Sequence, residues 1–471
     1  MMMRVAAFAF AFALACHSAS PVSPTAATGP DAPTGPAVTG RVALAPGVKP
    51  DRTRGALFVS WMTADEKQAF DSGKPPLPLV VRVVAHGVVV TDVDVAQGVP
   101  FTLHTGTGQV VLTATVDVSH IGLSALFGGG EGTLVGMSGV FDASGAAVRA
   151  PPLALTVQPH HEPREWCQGE RITLERIAAP EVAGTVGNPT SRRTCVRVPR
   201  GYAEHPDRHY PVIYALPGLM SNDGAVIAGY RLDPDDVIVV AIDSSTRTGS
   251  TYLVDGPTSG NWDTFFAKHL IPYVDTHYRT LAKREGRAIV GHSTGGFNAV
   301  SYGMRHPELF GVIGASSPDG LDLPVWLRLG APRWIRDLAR IEHGMGGGGQ
   351  FISYAADWSP RTAPPGYDWP FDDAGRWVDS VLARWLANSP TTWVRDPGRV
   401  AAFKPLSGHI YLTVGETDEF DLVEPTEAFS KTLTAAGIAN ELVITPGGHG
   451  VQAEHMAAIA KFCAAELEPA N

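Results

Sequence analysis

A chain of 471 residues is long enough for two or three domains. With 44% hydrophobic and 18% charged residues it can bury a substantial core. A formal net charge of −10 argues against nucleic acid as a partner.

Residues 1–15 carry one basic side chain, Arg4, and an apolar run over residues 5–15. That run is too short to span a bilayer and suits a secretory signal. It ends in Ala13-Leu14-Ala15-Cys16. This resembles a bacterial lipoprotein signal, in which the cysteine becomes the lipid-modified first residue. Ala13 stands where the usual pattern has leucine, and a conventional signal cut near Ala15 or Ser18 is the alternative. Residues 1–16 thus read as a signal peptide with lipidation at Cys16. The segment 17–39 is Ser, Pro, Ala, Thr and Gly with almost no charge, which reads as a flexible tether. The expected location is outside the cytoplasm, as a periplasmic or cell-surface lipoprotein held to the membrane through its anchor.

Residues 40–158 are rich in Val, Thr and Gly, with frequent alternation. Leu79-Val80-Val81-Arg82-Val83-Val84 and Gln109-Val110-Val111-Leu112-Thr113-Ala114-Thr115-Val116 are two such runs. Breaks fall at Pro75-Pro76, Gly98 and Gly128-Gly129-Gly130. Short strands with regular breaks predict a β-sandwich of about seven strands. The stretches 40–44, 58–60, 76–79 and 100–103 resemble the periplasmic β-domain of CcmH/CycH-type cytochrome c biogenesis proteins. That resemblance implies a periplasmic module without chemistry of its own: a spacer, a contact surface or part of a substrate cleft.

An α/β domain is expected over residues 165–471. Cys167 and Cys195 flank a strand pair at its start. In an oxidising compartment they form a disulfide worth roughly 3–4 kcal/mol for a loop of about 30 residues; two unpaired buried thiols are the alternative. Cys463 lies in a helical pattern over 457–467 and reads as a small core residue. No C-x-x-C pair or clustered ligand set points to a metal, and no motif points to a cofactor. His160-His161 reads as a solvated linker pair. Tyr210-Pro211-Val212-Ile213-Tyr214-Ala215-Leu216 is a strand, followed by the loop Pro217-Gly218-Leu219-Met220. Val237-Ile238-Val239-Val240-Ala241-Ile242 is a buried parallel strand. Trp262, Phe265, Phe266, Leu270, Tyr273 and Val274 form a helix stripe that packs on the sheet.

The apolar run Arg287-Ala288-Ile289-Val290 leads into Gly291-His292-Ser293-Thr294-Gly295-Gly296. This is the strand-to-helix turn that aims a nucleophilic serine out of the top of an α/β sheet. Cβ atoms at Gly291 or Gly295 would collide with the facing strand or helix. Residues 294–305 contain no proline and predict a helix ending before Pro307. Ser293 then sits at the positive end of that helix, with the Thr294 N–H placed to bind an oxyanion. The N–H of Leu219, in the loop after the earlier strand, is the second oxyanion candidate.

After a strand at 310–315, about 90 residues intervene before His409, and seven of the ten tryptophans fall in this insertion, about 320–405. Trp377, Val381 and Trp385 recur every four positions, which predicts one face of a helix over 373–387. Most of these rings read as the core of the insertion. Trp326, Trp334 and Trp377 are candidates to line an acyl or aromatic pocket, because aromatic rings give flat, rigid contact surface. The run 344–349, Gly-Met-Gly-Gly-Gly-Gly, reads as a flexible loop or hinge.

A strand over 409–414 ends in Gly415-Glu416-Thr417-Asp418. A helix over 424–436 is stopped by Gly437. A further strand over 441–445 runs into Pro446-Gly447-Gly448-His449-Gly450. The order Ser293, Asp418, His449 is the α/β-hydrolase order of nucleophile, acid and base. A serine hydroxyl is a poor nucleophile until a neutral imidazole takes its proton. Asp418 would hold His449 in the useful tautomer. Glu416, Glu419 and Asp421 are rival acids; Asp418 is preferred because it lies three residues after Gly415.

Five blocks, at 210–219, 269–280, 291–296, 415–418 and 447–450, together resemble the "Putative esterase" family. It includes enterochelin esterases, esterase D, feruloyl esterases and the antigen 85 mycolyltransferases. The resemblance implies an α/β-hydrolase sheet with helices on both faces. It also implies Ser293, Asp418 and His449 as the triad, Leu219 and Thr294 as oxyanion donors, and a small-molecule or glycan/lipid ester as substrate. The leading expectation is an exported serine esterase of enterochelin-esterase type. Acyl transfer of antigen 85 type and an inert cell-surface binding protein are the alternatives.

Overall fold

The structure, a computed structural model, describes residues 35–71, 88–118, 133–157, 167–219, 221–246, 248–334, 348–363, 366–372, 376–450 and 453–471. The leader with Cys16, the tether as far as residue 34, the run 79–84, the glycines at 128–130 and His160-His161 lie outside them. The chain divides into two compact units, residues 1–162 with 333–352, and residues 163–332 with 353–471.

The first unit is built on nine strands among the described residues. Seven run in the order Val88–Asp94, Arg54–Thr63, Gln109–Asp117, Leu134–Met137, Leu153–Val157, Ala37–Leu44 and Val99–His104. Phe141–Asp142 adds to Gln109–Asp117, and Ala147–Arg149 to Ala37–Leu44. The predicted alternation is plain in Val99–His104: Val99, Phe101 and Leu103 are buried, whereas Pro100, Thr102 and His104 are exposed. The buried faces meet in one core that includes Val38, Val42, Leu57, Trp61, Leu112 and Leu155. The first strand starts at Ala37, paired with His104, so it takes up the last three residues read as tether. A helix absent from the sequence reading, Ala64–Asp71, follows Arg54–Thr63. Thr63 and Glu66 cap it reciprocally: the Glu66 N–H donates to Thr63 Oγ1 at 3.2 Å and the Thr63 N–H to Glu66 Oε2 at 2.7 Å.

The second unit is an α/β-hydrolase sheet. Its spatial order is Ile172–Ala178, Ser191–Arg197, Ile238–Ile242, Val212–Leu216, Arg287–His292, Val312–Ser316, Ile410–Gly415 and Glu441–Thr445. The first two strands form an antiparallel edge, and the other six run parallel. Val212–Leu216, Ile238–Ile242 and Arg287–His292 are buried at every position, as expected of strands covered on both faces. Register fixes what meets at the carboxyl edge. Gly291 lies opposite Leu216 on one side and Ala315 on the other, and Gly415 opposite Thr445. The loops after these five parallel strands therefore share the edge at residue 293.

Two helical readings change. The stripe at 262–274 is one continuous helical segment, Trp262–Phe265, Phe266–Leu270 and Ile271–His277, whose middle turn is a π-turn. Pro272 has no N–H to continue the i→i−4 ladder there. The helix predicted over 373–387 is Asp379–Leu386, with buried Val381 and Trp385. Trp377 precedes it, bridges to Phe371 and is 38% exposed. Gly348 and Gly349, read as part of a hinge, open the helix Gly348–Trp358.

Candidate active site

Ser293 has φ 58° and ψ −126°, outside the regions a non-glycine residue prefers. The surrounding backbone holds it there. The Ser293 N–H donates to the Ser316 carbonyl at 2.9 Å, and the Phe297 N–H donates to the Ser293 carbonyl at 3.0 Å. The flanking glycines are needed sterically. A Cβ on Gly291 would stand 2.9 Å from Gly295 Cα, and one on Gly295 would stand 2.7 Å from the Pro217 carbonyl oxygen.

The structure brings the three scattered side chains together. His449 Nε2 lies 2.9 Å from Ser293 Oγ, and His449 Nδ1 lies 2.9 Å from Asp418 Oδ2. The other Asp418 oxygen accepts the Phe420 N–H at 3.0 Å. Asp418 and His449 are both buried. Of the rival acids, Glu416 is exposed, and Glu419 accepts the His449 backbone N–H at 2.6 Å, so it holds the loop and not the ring.

Burial by itself would lower the His449 pKa. The charge and hydrogen bond of Asp418, with the charges of Asp319 and Glu419, outweigh it and raise the imidazole above its ordinary value.

Thr294 is the first residue of the helix Thr294–Arg305, so its N–H has no intrahelical i−4 partner. The loop holding Leu219 runs beside Ser293: a Cβ on Gly218 would be 3.5 Å from Ser293 Cβ.

The tryptophans named as pocket candidates have these surroundings. Trp326 is 1% exposed, and its indole N–H donates to the Phe420 carbonyl at 2.9 Å. It braces the loop that follows Asp418. Phe420 in turn sets its ring edge-on to His449, at a centroid distance of 4.5 Å. Trp377 stacks edge-on with Phe371 at 6.2 Å. Trp334 ends the helix Leu323–Trp334. Trp358 and Trp385 belong to a buried cluster with Tyr252, Tyr354 and Phe297, which joins the insertion to the helix Thr294–Arg305. Cys167 and Cys195 have Cα atoms 5.5 Å apart and bonded sulfurs. Cys463 is a buried free thiol.

Two groups were missed from the sequence. The first is a buried histidine chain beside His449. The His292 ring lies 4.8 Å from that of His449, its Nδ1 is 3.1 Å from Ser316 Oγ, and Ser316 Oγ is 3.2 Å from His455 Nδ1. Burial, then the neighbouring His449 and His455, push the His292 pKa well down, so it serves as a neutral ring. The second is Asp319, 2% exposed, in the loop after Val312–Ser316. Its N–H donates to the Ser293 carbonyl at 3.2 Å. One carboxylate oxygen is 3.4 Å from Ser293 Oγ; the other accepts from Thr294 Oγ1 at 2.7 Å and from the Tyr252 hydroxyl at 3.0 Å. Its sequence signal was an acid three residues beyond the end of the strand next to the nucleophile strand. That is the spacing used for Asp418, one strand earlier.

Several known proteins are similar to this chain. The family model "Putative esterase" matches residues 188–452, more than half of the chain. Two curated proteins of Mycobacterium tuberculosis are similar: Esterase MT1326 of strain CDC 1551 / Oshkosh and Esterase Rv1288 of strain ATCC 25618 / H37Rv. Each is 28% identical over 221 residues, covering 45% of this chain and 41% of the relative. The chain thus spans about two fifths of the length of these relatives. Among solved structures, a ferulic acid esterase aligns with TM-score 0.43 and 18% identity, covering 63% of this chain and 97% of that one. Mycobacterium tuberculosis MPT51 (FbpC1) aligns with TM-score 0.42 and 16% identity, covering 62% and 98%.

Proposed function

The chain belongs to the "Putative esterase" family, and from that premise we propose that it is an exported serine esterase acting through an acyl-Ser293 intermediate. The observation that carries the reading is the His449 imidazole, 2.9 Å from the serine hydroxyl on one side and 2.9 Å from the Asp418 carboxylate on the other.

The steps follow from that geometry. His449 Nε2 takes the Ser293 proton as Oγ attacks the acyl carbon. Asp418 fixes the Nδ1–H tautomer and stabilises the imidazolium. The N–H groups of Leu219 and Thr294 hold the oxyanion. The C–O bond to the alcohol breaks as His449 returns its proton to the leaving oxygen. Water then attacks the acyl-enzyme by the same route and releases the acid. The substrate class is a small-molecule or glycan/lipid ester, of enterochelin-esterase type by the earlier resemblance. The reading of residues 1–16 as a leader lipidated at Cys16 supports export, and the N-terminal β unit serves as spacer or contact surface.

A fluorophosphonate probe should label the protein, with the adduct on the peptide containing Ser293. An unmodified Ser293 would rule out the nucleophile. A panel of p-nitrophenyl and feruloyl esters of varied acyl length then ranks substrates.

The raised His449 pKa gives a pH expectation. The base is lost when it binds a second proton, so kcat/KM should fall as pH drops through that value. The midpoint should lie above the ordinary imidazole value of about 6.5. A profile flat to pH 4 contradicts the role of His449.

A further inference from the structure

Asp319 has no part in the three-residue relay, yet it touches the reacting atom. A hydroxyl has one hydrogen to give. With His449 neutral, the shorter contact takes it: 2.9 Å to Nε2 against 3.4 Å to Asp319. With His449 doubly protonated, Nε2 becomes a donor and Oγ must accept from it. The serine hydrogen then needs another acceptor. Among the described residues, an acceptor in place is Asp319 Oδ1, on a carboxylate whose other oxygen accepts from the hydroxyls of Thr294 and Tyr252.

We propose that Asp319 is a positioning residue that serves as the alternate acceptor for the Ser293 hydroxyl, holding the Ser293–His449 pair in register while the imidazole carries its second proton. This rests on the serine-esterase reading. The same imidazolium forms when Ser293 attacks, so a group that stabilises it in the resting enzyme also favours the attack. The direction found for His449 agrees, since the charge of Asp319 is among the causes that raise it.

Other titratable groups face the pair. Asp418 and Glu419 come from the loop after Ile410–Gly415. His292 comes from the nucleophile strand and His455 from the helix Ala453–Glu466, both with lowered values. Tyr252 comes from the loop after Ile238–Ile242, with Tyr354 behind it. Tyr252 stays neutral, because burial pushes it well above the usual phenol range. Asp418 and Glu419 remain when Asp319 is replaced, so a change in the titration of His449 reports the missing carboxylate.

The test uses Asp319→Asn and Asp319→Glu in the full chain, with the pH dependence of kcat/KM on p-nitrophenyl acetate. Removing a negative charge beside His449 weakens its hold on the second proton. The acid limb of Asp319→Asn should therefore move to lower pH by about half a unit or more. The plateau should fall about tenfold as the imidazolium that forms in the attack loses a neighbouring charge. Asp319→Glu restores the charge and should bring the limb back toward wild type. If Asp319→Asn does not fold, Asp319→Ser gives the same reading from a smaller side chain. A limb that superimposes on wild type in the charge-removing variant, even with a lowered plateau, overturns the proposal, because loss of packing alone lowers the plateau without moving the limb. A wild-type protein that fluorophosphonate does not label at Ser293 sinks the esterase reading and this proposal with it. A labelled wild type with an unmoved limb sinks this proposal alone.

Discussion

Ser293→Ala should lower turnover of a short p-nitrophenyl ester by about four orders of magnitude or more, leaving what binding and the oxyanion donors supply. The substitution removes one oxygen and keeps the Cβ, so the strained φ of 58° is retained and the melting temperature should change little. Loss of activity without loss of fold separates chemistry from scaffolding. The acids give a sharper contrast. Asp418→Asn keeps the shape but presents an amide where the His449 Nδ1–H needs an acceptor, which favours the wrong tautomer. Its kcat should fall by about 10³–10⁴. Glu419→Gln still offers a carbonyl oxygen to the His449 backbone N–H, so its loss should stay within about tenfold. The measurement is kcat for each purified variant with fold checked by circular dichroism. Equal losses at Asp418 and Glu419 would remove Asp418 from its assigned role.

What could be read from the chain divides along a physical line. The elbow at Ser293 was legible because its constraints are local: a strand, a sharp turn and two glycines. The helix Val423–Ala435 was legible for the same reason. Gly437, at φ 71°, closes it, with its N–H donating to the Thr434 carbonyl and that of Ile438 to Leu433. The chain order of Ser293, Asp418 and His449 carried the rest, because parallel strands place successive loops at one edge. Asp319 was not legible in this way. In Ser316-Ser317-Pro318-Asp319-Gly320 it reads as a turn residue. Its place depends on the register of His292 against Ser316, which carries the next loop up to the nucleophile. The hydrogen bond from the Trp326 indole N–H to the Phe420 carbonyl was not legible for a related reason. The helix Ala64–Asp71 had its signal in Thr63 and Glu66, a capping pair masked by the alternation before it.

Gly295→Ala should nearly silence the protein although residue 295 takes no chemical step. In most helices the change from glycine to alanine stabilises, by about 1 kcal/mol. Here the added methyl would sit 2.7 Å from the Pro217 carbonyl oxygen and closer still to that of Leu216, and both are backbone atoms that cannot swing aside as a side chain would. Either the helix Thr294–Arg305 or the loop from Pro217 to Leu219 must shift. Overpacking of this kind costs about 1–3 kcal/mol, enough to lower the melting temperature by several degrees. The larger effect is on rate. The loop that moves carries one proposed oxyanion donor, Leu219, and the helix carries the other, Thr294. Losing the alignment of one donor costs about 10²–10³ in kcat. Gly229→Ala is the matched control, at the end of the helix Asp223–Gly229, where an added Cβ meets nothing within 4 Å. It should leave kcat unchanged and stability the same or slightly higher. If Gly295→Ala behaves like Gly229→Ala in both measurements, the loop at Leu219 is not held against the elbow, and the second oxyanion donor must be sought elsewhere.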